Sequence, residues 1–138
     1  FWQIAMRPGK PLMFGAMAGT PMLGMPGNPV SSLVCGLLFL RPAILAMLGA
    51  ASTALPEISV RLGRDLSAND RREDYLRCTL SRNEDGVAEA TPFGVQDSSM
   101  LSRLAAAGCL VIRPPHAPAA PAGTMVSAIP LDDLQTGY

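Results

Sequence analysis

Histidine, lysine and cysteine are scarce in this chain, and its first third has no carboxylate at all. Among 138 residues there is one histidine, one lysine (Lys10) and three cysteines, and only 16% of side chains are charged. The cysteines, Cys35, Cys78 and Cys109, are scattered and form no C-x-x-C pair. With a single histidine, a zinc site lacks closely spaced ligands. An odd, scattered count also excludes a disulfide framework and fits a reducing cytosol, so a cytoplasmic location is expected. Cys35 and Cys109 sit in apolar runs, where a thiol is a buried structural group. No signal peptide opens the chain, because Arg7-Pro8-Gly9-Lys10-Pro11 interrupts the first apolar run. The longest apolar run, Leu33 to Leu40, stops at Arg41-Pro42, short of the roughly 20 residues that cross a bilayer. A soluble protein with no membrane partner is expected.

What is present is enough apolar material for a core: 49% of residues are hydrophobic. The net charge is zero, which argues against a nucleic-acid binder. That zero hides a split. Residues 1–50 carry Arg7, Lys10 and Arg41 and no acid, giving +3; residues 51–138 carry eight basic and 11 acidic groups, giving −3. A carboxylate-free stretch either is simply apolar or must not repel an anion.

Three short apolar runs, Phe1–Met6, Leu12–Gly15 and Pro21–Met25, are bounded by Gly or Pro and read as strands. The entry straight into Phe1-Trp2-Gln3-Ile4 reads as a strand already under way, the C-terminal part of something longer. Asn28 is a good helix N-cap and Pro29 suits the first helical position. Val30, Leu33, Val34, Leu37 and Leu38 form one stripe, and Cys35, Gly36 and Phe39 make the other side apolar too. Such a helix is expected in a core or a subunit interface. Pro42 should kink it or start a second helix, and Gly49 should stop it.

Residues 50–56 read as a linker. Beyond it, Ile58, Val60 and Leu62 alternate with polar neighbours, as do Leu76, Cys78 and Leu80. Asn83-Glu84-Asp85-Gly86 is a hairpin turn, returning as Val87–Phe93. Asp97 or Ser98 should cap a short helix bearing Leu101, Leu104 and Ala105, stopped at Gly108. Cys109–Ile112 is a buried strand, residues 114–123 a Pro/Ala loop, and Thr124–Leu131 a last strand. About five strands and one helix predict a small barrel or sandwich.

Four runs could carry chemistry. In Gly24-Met25-Pro26-Gly27-Asn28-Pro29-Val30-Ser31 a strand ends in a Gly turn that opens a helix, whose first turn presents N–H groups to an anion. Gly27 admits close approach, and Ser31 adds a hydroxyl. A plain strand-to-helix turn explains the same residues. In Met6-Arg7-Pro8-Gly9-Lys10-Pro11 a rigid turn can aim two cations at one oxyanion; a solvated turn is the bland reading, but no carboxylate lies nearby in sequence. In Asn69-Asp70-Arg71-Arg72-Glu73-Asp74-Tyr75 the arginines can bind an oxyanion or pair with the adjacent acids. Asp97-Ser98-Ser99-Met100 is otherwise only a helix cap. His116, in the Pro/Ala loop, is given no role.

Together these runs resemble the molybdopterin molybdenumtransferase family, of the MoeA and gephyrin E-domain type. The likeness rests on Met6-Arg7-Pro8-Gly9-Lys10-Pro11-Leu12, on Leu23 to Ser31, on Arg41-Pro42-Ala43, on Arg72 three residues before Tyr75, and on Gln96-Asp97-Ser98-Ser99. It implies an α/β plus all-β architecture: residues 1–52 as the C-terminal piece of a MogA-like α/β domain that binds molybdopterin, and residues 53–138 as a small C-terminal β-barrel domain. It implies insertion of molybdate into adenylylated molybdopterin with release of AMP, assisted by magnesium, in a homodimer. Carried over residue by residue, it marks Arg7, Lys10, Gly27, Asn28, Pro29, Ser31, Arg72 and Ser98 as binders of molybdate and pterin phosphates, with Arg71 the fallback for Arg72. Arg7 stands where many members have Lys, and Ser99 where many have Gly. Residues 1–50 hold no carboxylate for magnesium, so its ligands are expected upstream and the isolated chain is expected not to turn over. The rival expectation is a gephyrin-like scaffold that binds peptides through the apolar helix. A related pterin adenylyltransferase is disfavoured by the barrel after residue 56.

Overall fold

The computed structural model describes residues 4–96, 102 and 105–132. Three short strands come first, β1 (Met6–Arg7), β2 (Met13–Met17) and β3 (Thr20–Gly24). The helical region follows as α1 (Pro29–Cys35), a π-helical turn (Gly36–Leu40) and α2 (Arg41–Met47). Then come β4 (Ile58–Leu62), β5 (Glu73–Arg82), β6 (Ala88–Pro92), β7 (Cys109–Arg113) and β8 (Met125–Pro130). The expected strand at Phe1 lies partly outside the described residues. So does the expected 97–108 helix, of which Ser102 and Ala105 are described and are helical.

β4 to β8 close into a five-stranded barrel. β5 pairs with β6, β6 with β4, β4 with β8 and β8 with β7, and β7 returns to β5. Only the β4–β6 contact within this ring is parallel. Closure depends on the length of β5. Its first half, Asp74 to Cys78, pairs with β7, and its second half, Cys78 to Arg82, pairs with β6. The Asn83–Gly86 turn is the hairpin expected from Asp-Gly: Gly86 adopts φ +80° and its N–H donates to the Asn83 carbonyl at 2.9 Å.

Small side chains fill the barrel, as a narrow ring demands. Val60, Leu62, Cys78, Ala90, Cys109, Val111, Ala120 and Ala128 form one buried cluster. Leu110 and Ile129 point the other way, into a second cluster with Met6, Leu12, Val34 and Cys35. Thus β7 is buried on both faces, which explains its unbroken apolar sequence. The second cluster also draws on both sides of residue 52.

β1 departs from expectation. It adds parallel to the outer edge of β5, with Met6 opposite Glu73 and Arg7 opposite Asp74. β2 and β3 form a separate antiparallel hairpin, and every residue of β2 is exposed.

The helix also differs from its sequence reading. Only Val30, Ser31, Val34 and Cys35 of α1 are buried, and Leu33, Leu40, Ile44 and Met47 are exposed. Pro42 does not end it. The Arg41 N–H reaches back five residues to the Gly36 carbonyl, and Pro42 falls in the first turn of α2, where its missing N–H is tolerated. The continuous helix Pro29–Met47 therefore has 19 residues and mean hydropathy 1.9, long and apolar enough to cross a membrane by length and composition. Gly49, at φ +74°, ends it as expected.

Candidate functional site

The β1–β5 register sets Arg7 beside Asp74, and the two side chains join. Arg7 Nε donates to Asp74 Oδ1 at 2.5 Å and Nη2 to Oδ2 at 2.7 Å, with Asp70 Oδ2 at 3.6 Å from Nη2. The expectation that no carboxylate neutralises the Arg7–Lys10 turn is thereby corrected. The acids arrive from the barrel side, Asp74 being 67 residues away in sequence. The planar fork that distinguishes arginine from lysine is used on this carboxylate.

After Arg7 the chain turns back tightly. The Leu12 N–H donates to the Gly9 carbonyl at 3.0 Å, and the Ile4 N–H to the Lys10 carbonyl at 3.1 Å. Gly9 adopts φ +118°, and a Cβ there would lie 2.5 Å from Cys35 Sγ, so only glycine fits against α1. Burial pushes the Cys35 thiol up to about 11, an inert structural group as its apolar run implies. The turn leaves Lys10 exposed.

Opposite Lys10 stands the entry to β5. Asn69 donates through Nδ2 to the carbonyls of Arg72, Arg113 and Pro114 at 2.7, 3.1 and 3.0 Å. Its own N–H donates to the Ala117 carbonyl at 2.9 Å, and the His116 N–H to the Asp70 carbonyl at 2.7 Å. The buried Arg113 guanidinium ties the carbonyls of Ser67 and Pro118 together at 3.0 and 2.7 Å. Residues 66–72 and 113–120 are thus stitched side by side. Asp70 in turn accepts from Arg72 Nη2 at 3.0 Å and from the Arg72 N–H at 2.8 Å. Those two bonds hold the Asp70 carboxyl down to about 2.

Lys10, Asp70, Arg71, Arg72 and His116 border one cavity of about 710 Å³, together with Ile4 and Ala5. Of the expected site residues, Lys10 and Arg72 meet here. Arg7 borders a neighbouring cavity, with Asp70 shared between the two. Arg72 is half-committed to Asp70, whereas Lys10 and Arg71 make no ion pair or side-chain hydrogen bond among the described residues. The fallback residue Arg71 is therefore the freer of the two arginines.

Gly27, Asn28, Pro29 and Ser31 do not border this cavity. Asn28 caps α1 as expected, but its Oδ1 accepts from the N–H groups of Val30 and Ser31 at 3.0 and 3.2 Å. Two donors counted on for an anion are therefore occupied by the cap itself. Ser31 is buried, and the space beside Gly27 is open. Ser98 lies outside the described residues, as do Asp97 and Ser99. Gln96, just before them, is fixed on β5: it accepts from the Arg77 N–H at 2.9 Å and donates to the Arg77 carbonyl at 3.0 Å.

Sequence reasoning missed two members of the cavity. Asp70 was noted only as a possible neutraliser, and His116 was given no role. The stitching of 69–72 to 113–117 has no local sequence signal. Only the single His in a loop of prolines marked the place.

A closed five-stranded barrel with a cation-lined cavity at the entry to β5 defines a small β-barrel domain. The chain belongs to the MoeA C-terminal region (domain IV) family, whose model matches residues 59–131, just over half of it. It is 31% identical over 135 residues to molybdopterin molybdenumtransferase of Haemophilus influenzae, covering 97% of this chain and 33% of that protein. It is 32% identical over 126 residues to molybdopterin molybdenumtransferase 2 of Mycobacterium tuberculosis, covering 91% of this chain and 30% of that one. Gephyrin of Dictyostelium discoideum matches at 29% over 154 residues, 94% of this chain and 21% of that protein. Two crystal structures of the MoeA protein of Pyrococcus horikoshii superpose with TM-scores of 0.73 and 0.72, at 26% and 23% identity, over 93% and 95% of this chain and 30% and 32% of theirs. The chain spans about a third of the length of the molybdenumtransferases it matches.

Proposed function

We propose that this chain forms the C-terminal side of the substrate site in a molybdopterin molybdenumtransferase. It holds oxyanions of molybdate and adenylylated molybdopterin while molybdate is inserted and AMP released. The observation that carries this is the meeting of Lys10 with Arg71 and Arg72 across one cavity. Molybdate is a dianion and the adenylylated pterin carries a pyrophosphate. Bringing them together calls for preorganised positive charge rather than a nucleophile. Gly27, Asn28, Pro29, Ser31 and Ser98 are proposed as further substrate contacts, on the resemblance of their motifs. Arg7 adds field rather than a direct contact, because its fork is taken by Asp74.

Residues 1–52 are proposed as the C-terminal part of a MogA-like α/β domain, and residues 53–138 as the barrel domain. The exposed apolar side chains of the hairpin and helix support this. Met13, Phe14, Met17, Met22, Leu33, Ile44 and Met47 are all exposed, and Phe14, Met22, Ile44 and Met47 line one apolar hollow between hairpin and helix. A cytoplasmic homodimer is proposed as the working unit.

Magnesium prefers oxygen ligands, chiefly carboxylates. Among the described residues no three His, Cys, Asp or Glu side chains cluster to hold an ion. Asp70 and Asp74 are engaged by Arg72 and Arg7. The residues present do not fit the ion, and in the proposed enzyme its ligands lie outside this chain.

Titration of the chain with molybdate tests the proposal. Binding is expected, and Lys10→Ala should weaken it about tenfold, the loss of one charge-assisted contact. Equal affinity in wild type and Lys10→Ala would overturn the site. The chain alone should release no AMP from adenylylated molybdopterin, and measurable release would overturn its incompleteness.

A further inference from the structure

His116 is the one titratable side chain lining the cavity with no assigned part, and the fold takes trouble over its placement. It stands at φ +59°. The other residues at positive φ among those described are five glycines and Ala18. Histidine tolerates this region better than most side chains, so the angle alone identifies nothing. The surroundings do more. The His116 N–H is anchored on the Asp70 carbonyl at 2.7 Å, and Asn69 clamps the chain before it through Arg113 and Pro114 and after it through Ala117. An over-determined backbone at a cavity edge fixes the point from which the side chain departs. That place is a wall of the same cavity as Lys10 and Arg71, which make no ion pair or side-chain hydrogen bond among the described residues.

We infer that His116 is a direct ligand of the oxyanion in this cavity, donating an imidazole N–H to an anion that Lys10 and Arg71 hold by charge. The inference rests on the anion-site reading and adds a residue to it. An imidazole ring contributes a directed donor where lysine contributes a point charge. The ligand class is a tetrahedral oxyanion, either molybdate or a phosphate group, and the two are separable by experiment.

His116 is the only histidine in the chain, so its ring carbon–proton signals are unambiguous in NMR spectra. Inorganic molybdate and inorganic pyrophosphate are titrated separately into the 138-residue chain, with calorimetry in parallel. The His116 ring signals should shift saturably, with the same midpoint as the calorimetric binding, and Lys10→Ala should move both together. The anion giving the tighter midpoint identifies the source. His116→Gly relieves the backbone while removing the ring, and should weaken binding about 3- to 10-fold, the worth of one hydrogen bond. His116→Asn keeps a donor at a tolerated φ and should lose less. Calorimetric binding that leaves the ring signals unmoved, or that survives His116→Gly unchanged, overturns the inference while leaving the anion site standing. No binding of either anion overturns both.

Discussion

Arg7 and Asp74 are register partners in a parallel strand pair and also share a two-pronged ion pair across it. The pair fastens the first strand to the barrel edge. Asp74 has only 11% of its side chain exposed, whereas Arg7 has 45%. The two groups are therefore unequal: solvent can rehydrate Arg7 but not Asp74.

That asymmetry sets the order of a mutant series. Arg7→Ala leaves a buried carboxylate unpaired and should cost about 1–2 kcal/mol, discounted for the exposed partner. Arg7→Lys keeps the charge but loses one prong, and should cost less. Removing both groups together should cost less than the sum. Urea denaturation of wild type, Arg7→Ala, Arg7→Lys, Asp74→Ala and the Arg7→Ala/Asp74→Ala double variant checks this, and strict additivity would show that the pair is not coupled.

Acid should disturb Asp70 late. Its carboxyl is held to about 2, against an ordinary 3.8, by the side-chain and backbone hydrogen bonds from Arg72. A depressed folded value means a contribution present above pH 3.8 and lost as the pH falls through about 2. A carboxyl-carbon NMR titration should give a midpoint near 2 in wild type, moving up towards the ordinary value in Arg72→Ala. A wild-type midpoint at the ordinary value would dissolve the Asp70–Arg72 link.

Gly9→Ala should be among the most damaging single changes outside the barrel. It forces a side chain into φ +118° and onto Cys35 Sγ. Roughly 2 kcal/mol or more of stability should go, from strain and overpacking together. Adding Cys35→Ala should recover the packing part and not the backbone part. Thermal melting of the single and double variants separates the two.

Asn28 offers a way to part the cap from the anion site. Asn28→Asp keeps a capping oxygen and should melt near wild type, whereas Asn28→Ala should lose about 1 kcal/mol. If Asn28 also faces the substrate, the new carboxylate should weaken molybdate binding although the fold is intact. Unchanged affinity in Asn28→Asp would confine the residue to its cap.

β4 and β5 were legible because they alternate, with Val60, Leu62 and Cys78 pointing inward as the alternation requires, and β7 because its unbroken apolar run marks a strand buried on both faces. The Asp-Gly turn, the Asn28 cap and the Gly49 stop were legible for the same local reason. Non-local geometry was not. Nothing near Arg7 foretells Asp74, and nothing near His116 foretells Asp70. The double pairing of β5 follows from its length, which the run from Leu76 to Leu80 understated. At Arg41-Pro42 a second helix starts, as the proline implies, but the π turn that joins it to the first is invisible in composition.

The pairing of β1 with β5 has a consequence for synthesis. Arg7 leaves the ribosome 67 residues before Asp74. At about 5–20 residues per second that interval is on the order of 3–13 s. Throughout it, Met6 and Leu12 have no Leu110 or Ile129 to cover them. A ribosome-stalled chain with residues up to 70 emerged should be cut by protease near residue 6, and one with residues up to 130 emerged should resist. β1 emerges well before β5 and the strands that cover it, and a nascent-chain chaperone has that interval in which to act.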